Sequence, residues 1–411
     1  MAQPQGIHAR KAALRLLDAV LRRGETLDVA FGAATSDVRK FEDKALARAI
    51  AGEVLRWLVD LDAAIDSATK QKLPHDAKVR TVLRMMLAQW LRLETPHHAV
   101  IATGLPLLAG GPRRLAHGVF STLTKREIAL PDAPTLPAEV AARWGDRASA
   151  IAAGLAEPPP LDLTLRDPAE TEVWRAKLAA DSLMPGHLRL PRGENIEKLV
   201  GFADGAWWVQ DLAASIPARL LGAGEGRHAL DLCAAPGGKT LQLAAQGWKV
   251  TALDISKRRL DLLKANLKRT GLAAGTVRAD ALTWEPKHQF DAILLDAPCT
   301  ATGTARRHPD VLHRIGPRHI AEMAELQAAL LERAQGWLKP GGMLVYATCS
   351  LEREEGEAQA AEVGMATLPI ASDELPAGVV PTAEGYLRTD PGMLSDEGGL
   401  DGFFIARWRA D

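Results

Sequence analysis

Asp231-Leu232-Cys233-Ala234-Ala235-Pro236-Gly237-Gly238-Lys239-Thr240 joins an apolar run to a helical stretch through a tight Pro-Gly-Gly turn. Residues 229–233 have the apolar character of a strand, and residues 239–246 have the pattern of a helix that begins at the turn. Glycines let a backbone approach a ligand closely, and the N-terminus of a helix presents free N–H groups. The stretch therefore predicts a ligand-binding strand, turn and helix of an α/β fold.

The glycine spacing in this turn differs from two common nucleotide-binding motifs. A dinucleotide-binding turn has the pattern GxGxxG, and a phosphate-binding loop sets its two glycines farther apart. Residues 231–240 match neither pattern. We therefore expect a nucleotide-like ligand without a polyphosphate, whose carboxylate or amine end is held by the turn.

Strand-like apolar runs alternate with helical stretches over the C-terminal part of the chain. The runs lie at residues 229–233, 250–253, 290–295 and 343–346, and residues 402–408 are expected to form a closing strand. Such alternation is typical of a doubly wound parallel sheet. The C-terminal part is therefore predicted to be a Rossmann-like α/β domain.

Acidic residues end three of the predicted strands. Asp254 lies 23 residues after Asp231, which is close to the separation at which an acid binds ribose hydroxyls in such sheets. Asp280 ends the run at residues 276–280 and is expected to contact an adenine amine, and Asp296 ends the following run. One such acid alone is more often a helix cap or a loop residue. Three acids in register fit S-adenosylmethionine bound to a Rossmann-like methyltransferase.

Two of the three cysteines also follow strand-like runs. Cys299 ends the motif Asp296-Ala297-Pro298-Cys299, and Cys349 is central to Thr348-Cys349-Ser350, 50 residues later. A helical segment at residues 317–338 is long enough for one crossover, so parallel strands can bring both thiols to one rim. Free cysteines are usually buried small hydrophobes. The flanking motifs here favour two thiols and a carboxylate at one site.

The composition of the 411 residues is ordinary for a globular protein, with 47% hydrophobic and 25% charged residues. Three cysteines without a CxxC pair exclude a disulfide framework and predict no zinc or other metal site. Reduced cysteines and the lack of an apolar leader in residues 1–5 predict a cytoplasmic protein. No apolar run is long enough to span a bilayer, so no membrane partner is expected.

Residues 1–130 are predicted to form an all-helical bundle, because apolar residues recur there at helical spacing. This segment has 20 Lys and Arg against 13 Asp and Glu, although the whole chain has a net charge of −1. The basic excess indicates a polyanion partner, or else only a solvated helical surface. A proline-rich linker and a small α+β module are assigned to residues 131–225, and the α/β domain to residues 226–411.

Three motifs closely resemble the RsmB/Sun family of bacterial 16S ribosomal RNA cytosine-5 methyltransferases. They are DLCAAPGGKT from Asp231, LLDAPCTATGTARRHPD from Leu294 and YATCSLEREEG from Tyr346. The N-terminal third resembles the NusB-like RNA-binding domain of that family, as in the run His97-His98-Ala99-Val100. Thr300 and Gly356 depart from the family pattern, which usually has Ser at the first position and often has Asn at the second.

The resemblance implies roles for the site residues. Cys349 adds to C6 of the cytosine, Cys299 helps the product to leave, and Asp296 holds the base at its N3 and amino edge. The implied cofactor is S-adenosyl-L-methionine, and its binding residues are Cys233, Ala234, Ala235, Pro236, Gly237, Gly238, Lys239, Asp254, Asp280 and Asp296. Arg306 and Arg307 are expected to hold RNA phosphates, or else they are only solvated residues at the start of a helix.

The implied partner is small-subunit ribosomal RNA, bound by a monomer through residues 1–130 and the α+β module. The same chemistry on transfer RNA is the nearest alternative, because related enzymes share both cysteine motifs. An exocyclic-amine methyltransferase would have an Asp/Asn-Pro-Pro-aromatic motif, whereas this chain has Asp-Ala-Pro-Cys. A non-enzymatic RNA-binding protein is the third alternative, and the presence of both Cys349 and Asp296 argues against it.

Overall fold

The computed structural model of the chain describes residues 6–193 and 195–411. Residues 1–5, on which the prediction of a missing leader rests, lie outside the described residues. The chain forms two compact units, one of Met1–Glu157 with Ala305–Ile315 and one of Pro158–Thr304 with Gly316–Asp411. The boundary between the two compact units thus lies after Glu157. The predicted division into three domains, with boundaries at residues 130 and 225, stays a prediction.

Helices and strands are numbered in chain order. The helices are α1 (Ile7–Arg23), α2 (Leu27–Ala34), α3 (Phe41–Arg56), α4 (Leu58–Ser67), α5 (Lys78–Leu91), α6 (His97–Gly104), α7 (Gly110–Lys125), α8 (Ala138–Trp144), α9 (Ala148–Leu155), α10 (Thr171–Leu178), α11 (Leu212–Arg219), α12 (Gly238–Ala245), α13 (Lys257–Thr270), α14 (Val311–Arg314), α15 (Pro317–Gly336) and α16 (Glu357–Ala361). The strands are β1 (Leu161–Leu165), β2 (His187–Leu190), β3 (Trp207–Val209), β4 (His228–Leu232), β5 (Lys249–Asp254), β6 (Gly275–Arg278), β7 (Phe290–Asp296), β8 (Leu338–Thr348), β9 (Ala366–Thr367), β10 (Leu387–Thr389) and β11 (Phe403–Arg409). Among the residues that the structure describes, no helix combines the length and the apolar composition needed to cross a membrane.

The first unit is built from helices α1 to α9 and the short helix α14. Apolar residues recur every three or four positions, so each long helix buries one face against its neighbours. Leu16, Ile50, Val54 and Met86 are among the fully buried side chains of its core. Helix α1 ends at Gly24, whose φ of 69° is the left-handed conformation that commonly terminates helices. The predicted N-terminal helical bundle is therefore confirmed.

The segment Ala305–Ile315 belongs to this helical unit although it follows Cys299 closely in sequence. The backbone carbonyl of Arg306 accepts a hydrogen bond from the Arg56 guanidinium at 2.9 Å. The His313 ring lies 2.6 Å from the carbonyl oxygen of Leu55. Backbone and side-chain contacts of this kind hold the segment against the bundle.

The second unit is organised around a mixed sheet. Among the described residues the sheet has eight strands in the order β10-β11-β8-β7-β4-β5-β6, with β9 also paired to β11. Strands β4 to β8 pair in parallel, and β11 pairs antiparallel with β8. Leu212 and Ile216 of α11 belong to one core of this unit, and Leu330 and Leu331 of α15 belong to another. The predicted Rossmann-like sheet and its closing strand are confirmed.

A small antiparallel sheet precedes the mixed sheet in the same unit. Its order is β2-β1-β3, and Leu163, Leu188, Trp174 and Trp207 are buried together in its core. Helix α10 supplies Trp174, so this part of the chain is an α+β module, as the alternation of apolar residues around residues 161–165 predicts.

Candidate active site

The two cysteines of the Pro-Cys and Thr-Cys-Ser motifs are in contact. Strands β7 and β8 pair in parallel with Asp296 opposite Ala347, so the loops that follow them leave the sheet side by side. The sulfur of Cys299 lies 3.4 Å from the sulfur of Cys349. Both side chains are half-buried. The two thiols therefore lie together at one rim of the sheet, where each can act on the other.

The carboxylate of Glu355 joins the two cysteine loops. It accepts hydrogen bonds from the backbone N–H of Thr300 at 2.9 Å and from the Ser350 hydroxyl at 2.7 Å. The Thr300 hydroxyl also donates to it. Glu355 is fully buried, and a buried carboxylate must be hydrogen-bonded to be tolerated. One side chain thus holds both motifs in a fixed relation.

Helix α15 supports the same carboxylate. The amide of Gln327 donates to Glu355 at 2.9 Å and to the backbone carbonyl of Pro298 at 2.8 Å. The Tyr346 hydroxyl donates to the backbone carbonyl of Glu355 at 2.7 Å. Neither Glu355 nor Gln327 is marked as a site residue by the sequence alone. The available signal was the position of Glu355 within the quoted YATCSLEREEG motif, but nothing there separates it from its acidic neighbours.

The structure accounts for both departures from the family pattern, at Thr300 and at Gly356. The Thr300 hydroxyl makes the same donation to Glu355 that a serine hydroxyl would make. A Cβ at Gly356 would lie 2.8 Å from the ring of Phe404 and would also collide with the guanidinium of Arg388. Glycine is therefore required at position 356 by the side chains that surround it here.

Replacing Glu355 with glutamine should destabilise this network. The amide NH2 would face groups that are all donors, so at least one buried donor loses its acceptor, at a cost of about 1–3 kcal/mol. Urea unfolding measures this cost, and the affinity for phenylarsine oxide, which bridges two close sulfurs, should fall with it. Glu354→Gln is the matched control because Glu354 is exposed. Equal stability and equal arsenical affinity of the two variants would contradict the assigned role of Glu355.

The environment of the sulfurs favours the neutral form of one of them. The contact with Cys349, burial and the negative charge of Glu355 raise the pKa of Cys299 well above its ordinary value. Cys299 is therefore a thiol at neutral pH, with its proton available to the neighbouring sulfur.

Lys239 links the first motif to the Pro-Cys loop. Its ammonium group lies 2.7 Å from a carboxylate oxygen of Asp296. The Lys239 side chain is 10% exposed and that of Asp296 is 33% exposed, so the pair is sheltered but the carboxylate remains accessible. The predicted contact of each residue with a cofactor stays a prediction.

A cavity of about 220 Å³ lies beside this pair of loops in the same unit. Cys233, Asp254, Asp280 and Pro298 line it together with apolar side chains such as Leu330. The parallel strands thus bring residues of four predicted site segments to one cavity. Arg259 also lines the cavity, and the two carboxylates among its mostly apolar side chains suit the hydroxyl and amino donors of a nucleoside.

The two acids of the cavity also shape its backbone. Asp254 is buried and accepts hydrogen bonds from the backbone N–H groups of Ala235 at 3.1 Å and Ser256 at 2.8 Å. Asp280 is exposed and accepts from the backbone N–H of Leu282 at 3.0 Å. Each carboxylate has further lone pairs for a ligand.

The turn between β4 and α12 has the backbone conformation that its glycines permit. Gly237 has a φ of 111°, and a Cβ there would lie 2.8 Å from the side chain of Leu263. Gly238 begins α12, and Ala234 donates its N–H to the carbonyl of Leu253 at 3.0 Å.

Burial, with the nearby carboxylates, raises the pKa of Cys233 to about 12. Cys233 is therefore a neutral wall of the cavity and a poor nucleophile.

Asp231 is a buried acid behind the same turn. Its carboxylate accepts a hydrogen bond from the Thr240 hydroxyl at 2.5 Å, and its other oxygen has no hydrogen-bond partner among the described residues. Burial raises the pKa of Asp231 to about 7, and the negative charge of Asp296 adds to this effect. The folded protein therefore holds this proton at pH values where the unfolded chain has released it.

Asp231→Asn should remove a pH dependence of stability. Between pH 3.8, the ordinary pKa, and pH 7, the folded protein binds more protons at this group than the unfolded chain does. The contribution of Asp231 to the free energy of unfolding therefore falls as the pH rises through that window, and it is constant above it. The variant should gain on the order of 1.4 kcal/mol relative to wild type per pH unit within the window. Urea unfolding of both proteins at pH 5 and pH 8 measures this gain. The same difference in free energy of unfolding between variant and wild type at both pH values would contradict the prediction.

The predicted RNA-binding arginines lie in the segment Ala305–Ile315. Arg306 is buried, with 2% of its surface exposed, and Arg307 is half-buried. Arg307 is thus the more accessible of the two side chains, and a contact of either with RNA stays a prediction.

Among residues 6–193 and 195–411, no three His, Cys, Asp or Glu side chains form a group that could hold a metal ion.

Two family models match separate parts of the chain. Residues 7–107 match the NusB family, and residues 218–409 match the family described as 16S rRNA methyltransferase RsmB/F. Among solved structures, PH0851 has a TM-score of 0.72 and 23% identity over 99% of both chains, which shows a shared fold. A methyltransferase homolog from Pyrococcus horikoshii has a TM-score of 0.56 and 28% identity, over 66% of this chain and 93% of its own.

Curated relatives match the chain over nearly its whole length. Ribosomal RNA small subunit methyltransferase B of Xanthomonas campestris pv. campestris is 34% identical, over 98% of this chain and 97% of the relative. The protein of the same name from Klebsiella pneumoniae subsp. pneumoniae is 35% identical, over 98% of each chain. Because identity at this level extends through both the NusB-like and the methyltransferase parts, the chain belongs to the RsmB/F family of 16S rRNA methyltransferases.

Proposed function

We propose that this protein transfers a methyl group from S-adenosylmethionine to C5 of a specific cytosine in small-subunit ribosomal RNA. A transient bond between the sulfur of Cys349 and C6 of the base activates the ring. The observation that carries the proposal is the 3.4 Å contact between the sulfurs of Cys299 and Cys349, beside a cavity lined by Asp254 and Asp280. The names of the relatives support the class of RNA.

The residues around the cavity fit the proposed methyl donor. Asp254 takes the ribose hydroxyls and Asp280 takes the adenine amine, because both carboxylates line the cavity and are acceptors. The turn from Cys233 to Lys239, together with Asp296, holds the methionine end. When bound, S-adenosylmethionine supplies an electrophilic methyl group on its sulfonium.

Cys349 makes C5 of the cytosine nucleophilic. C5 alone is a weak nucleophile, but addition of the Cys349 thiolate to C6 moves the C5–C6 π electrons between C4 and C5 and the C4–N3 π electrons onto N3. The resulting enamine, with a C4–C5 double bond, can attack an electrophile through C5. A covalent intermediate of this kind divides one difficult step into two easier ones. Asp296 holds the amino group of the base and delivers a proton to N3 as the sulfur adds, so the negative charge that the addition sends into the ring is neutralised. The Lys239 ammonium beside it stabilises the carboxylate that remains.

Cys299 assists the reverse step. Water takes the proton from C5, the electron pair of the C5–H bond reforms the C5–C6 double bond, and the bond between C6 and the Cys349 sulfur breaks with its electron pair on sulfur. The departing sulfur carries negative charge, and the Cys299 thiol, in contact with it, donates a hydrogen bond to it. The contact with Cys349, burial and the charge of Glu355 keep the pKa of Cys299 high, so the donor proton is present when it is needed.

The proposed reaction gives the helical unit a role in binding the RNA. A stacked cytosine cannot reach the two sulfurs, so the target must be single-stranded or flipped out of its helix. The basic residues 1–130 hold a structured RNA while the methyltransferase part takes one base. Ribosomal RNA is favoured over transfer RNA because this part matches the NusB family.

The direct test is methylation of unmodified RNA by the purified full-length protein with isotopically labelled S-adenosylmethionine. We expect label in 5-methylcytidine at one position of small-subunit ribosomal RNA, detected by mass spectrometry of the digested nucleosides. Transfer RNA from the same cells is the matched control substrate. Label in transfer RNA alone, or on the exocyclic amine of cytidine, would contradict the proposal.

A further inference from the structure

The sulfurs of Cys299 and Cys349 are placed to bond to each other. Both residues are free thiols, and their sulfurs lie 3.4 Å apart. A disulfide bond is about 2.05 Å long, so the two sulfurs have to approach each other by roughly 1.4 Å. Rotation of either side chain about its Cα–Cβ bond supplies a movement of this size, so the bond can form without a rearrangement of the sheet.

The backbone around the two sulfurs also favours this bond. Strands β7 and β8 are neighbours in the sheet, and Asp296 is paired with Ala347. Cys299 lies three residues beyond this pair on one strand, and Cys349 lies two residues beyond it on the other. The backbone N–H of Gly303 donates to the carbonyl of Cys349 at 3.0 Å. The two loops are therefore tied together on both sides of the sulfurs.

A small oxidant can reach this pair. Both side chains are half-buried at the rim of the sheet, whereas Glu355, which joins their loops, is fully buried. Hydrogen peroxide is much smaller than the cytosine that the proposed function brings to the same sulfurs. Access for the base therefore implies access for the oxidant.

We propose that Cys299 and Cys349 are a site of reversible oxidation, at which hydrogen peroxide converts the two thiols into a disulfide. The Cys349 thiolate attacks one peroxide oxygen, the O–O bond breaks, and hydroxide leaves a sulfenic acid on Cys349. This hydroxide takes the proton of the Cys299 thiol and becomes water. The Cys299 sulfur then attacks the Cys349 sulfur, and the sulfenic oxygen leaves as a second hydroxide. The two sulfurs together lose two electrons, which the peroxide accepts.

The disulfide would switch off methyl transfer, and this consequence rests on the proposed function. It consumes both the sulfur that adds to C6 and the thiol that helps that sulfur to leave. Neither cysteine is among the residues that line the cavity assigned to the methyl donor, so donor binding should persist in the oxidised protein. A thiol reductant restores both sulfurs by exchange. Formation of the disulfide itself does not depend on which reaction the protein catalyses.

Oxidation of the full-length protein tests the pairing directly. The protein is treated with hydrogen peroxide under conditions that convert glutathione to its disulfide, and the remaining thiols are alkylated. We expect mass spectrometry of the digest to find the Cys299 peptide joined to the Cys349 peptide, with Cys233 alkylated. Dithiothreitol should return all three thiols. Three free thiols after the treatment, or a disulfide that involves Cys233 or joins two copies of the protein, would overturn the proposal.

Cys299→Ala separates the pair from a general sensitivity to peroxide. The sulfenic acid of Cys349 then has no neighbouring thiol, so dimedone, which reacts with sulfenic acids, should label Cys349, and further oxidation to the sulfinic acid should follow. Cys233→Ala is the matched control, because it removes a thiol and keeps the pair. It should form the same disulfide as wild type and give little dimedone label at Cys349. Equal labelling of Cys349 in the two variants would contradict the role of Cys299.

Methylation by the oxidised wild-type protein tests the switch separately. We expect the rate to fall by more than about tenfold, because the nucleophile is consumed, and to recover with dithiothreitol. The dissociation constant of S-adenosylmethionine, measured by calorimetry, should stay close to that of the reduced protein. A disulfide that forms without slowing methyl transfer would overturn the switch. A reduced protein that methylates no RNA would contradict the proposed function, while the peptide analysis still decides the disulfide.

Discussion

Replacing Cys349 with alanine is expected to abolish methyl transfer while leaving S-adenosylmethionine binding unchanged. Without a sulfur to add to C6, C5 remains a weak nucleophile, and loss of a covalent nucleophile lowers the rate by more than about a thousandfold. Cys349 does not line the cavity assigned to the methyl donor, so the dissociation constant of the donor should stay close to that of wild type. Single-turnover methylation and calorimetry measure the two quantities.

The residue in contact with Cys349 cannot replace it in this scheme. Cys299 lies 3.4 Å away, but the contact, burial and the charge of Glu355 raise its pKa, and a thiol is a poor nucleophile. A Cys349→Ala protein that methylates RNA at a rate near that of wild type would therefore contradict the assignment of the nucleophile. A large loss of donor affinity would instead mean that the substitution had disturbed the fold of the site.

Replacing Cys299 with alanine is expected to trap the protein on its RNA. The bond between the Cys349 sulfur and C6 can still form, but the departing sulfur loses the thiol that stabilises it. Breakdown of the intermediate should become slower than its formation, so the adduct should accumulate over minutes and turnover should nearly cease. A denaturing gel with labelled RNA detects this adduct as a band of retarded mobility.

The double variant Cys299→Ala with Cys349→Ala is the control for this experiment, and it should give no retarded band. An adduct that forms in the Cys349→Ala protein and is absent from the Cys299→Ala protein would show that the two sulfurs have exchanged roles.

Much of the fold follows from local pattern. Strands β4, β5, β7 and β11 lie within one residue of the predicted runs at residues 229–233, 250–253, 290–295 and 402–408. Strand β8 begins at Leu338, five residues before the predicted run at residues 343–346. Strand β6 ends at Arg278, two residues earlier than predicted, because Asp280 belongs to a turn in which its side chain accepts from the N–H of Leu282. The position of Ala305–Ile315 in the helical unit was not predicted, since nothing local distinguishes that segment from the loop before it.

The site was partly predictable for the same reason. Cys299 and Cys349 follow adjacent parallel strands, so topology alone brings their loops together. Glu355 was missed because it is one of several acids in a charged run, and only the fold shows that it is buried between Thr300 and Ser350. The pair of Lys239 and Asp296 also depends on long-range contact, because the two residues come from different loops.

The most direct test of the covalent mechanism uses an RNA fragment with 5-fluorocytidine at the modified position. Fluorine at C5 cannot leave as a proton does, so the wild-type protein should remain bonded to the base after methyl transfer. We predict that mass spectrometry of the digested complex finds the methylated base attached to the peptide that contains Cys349. A base attached to Cys299, or methyl transfer without any protein-bound base, would contradict the account.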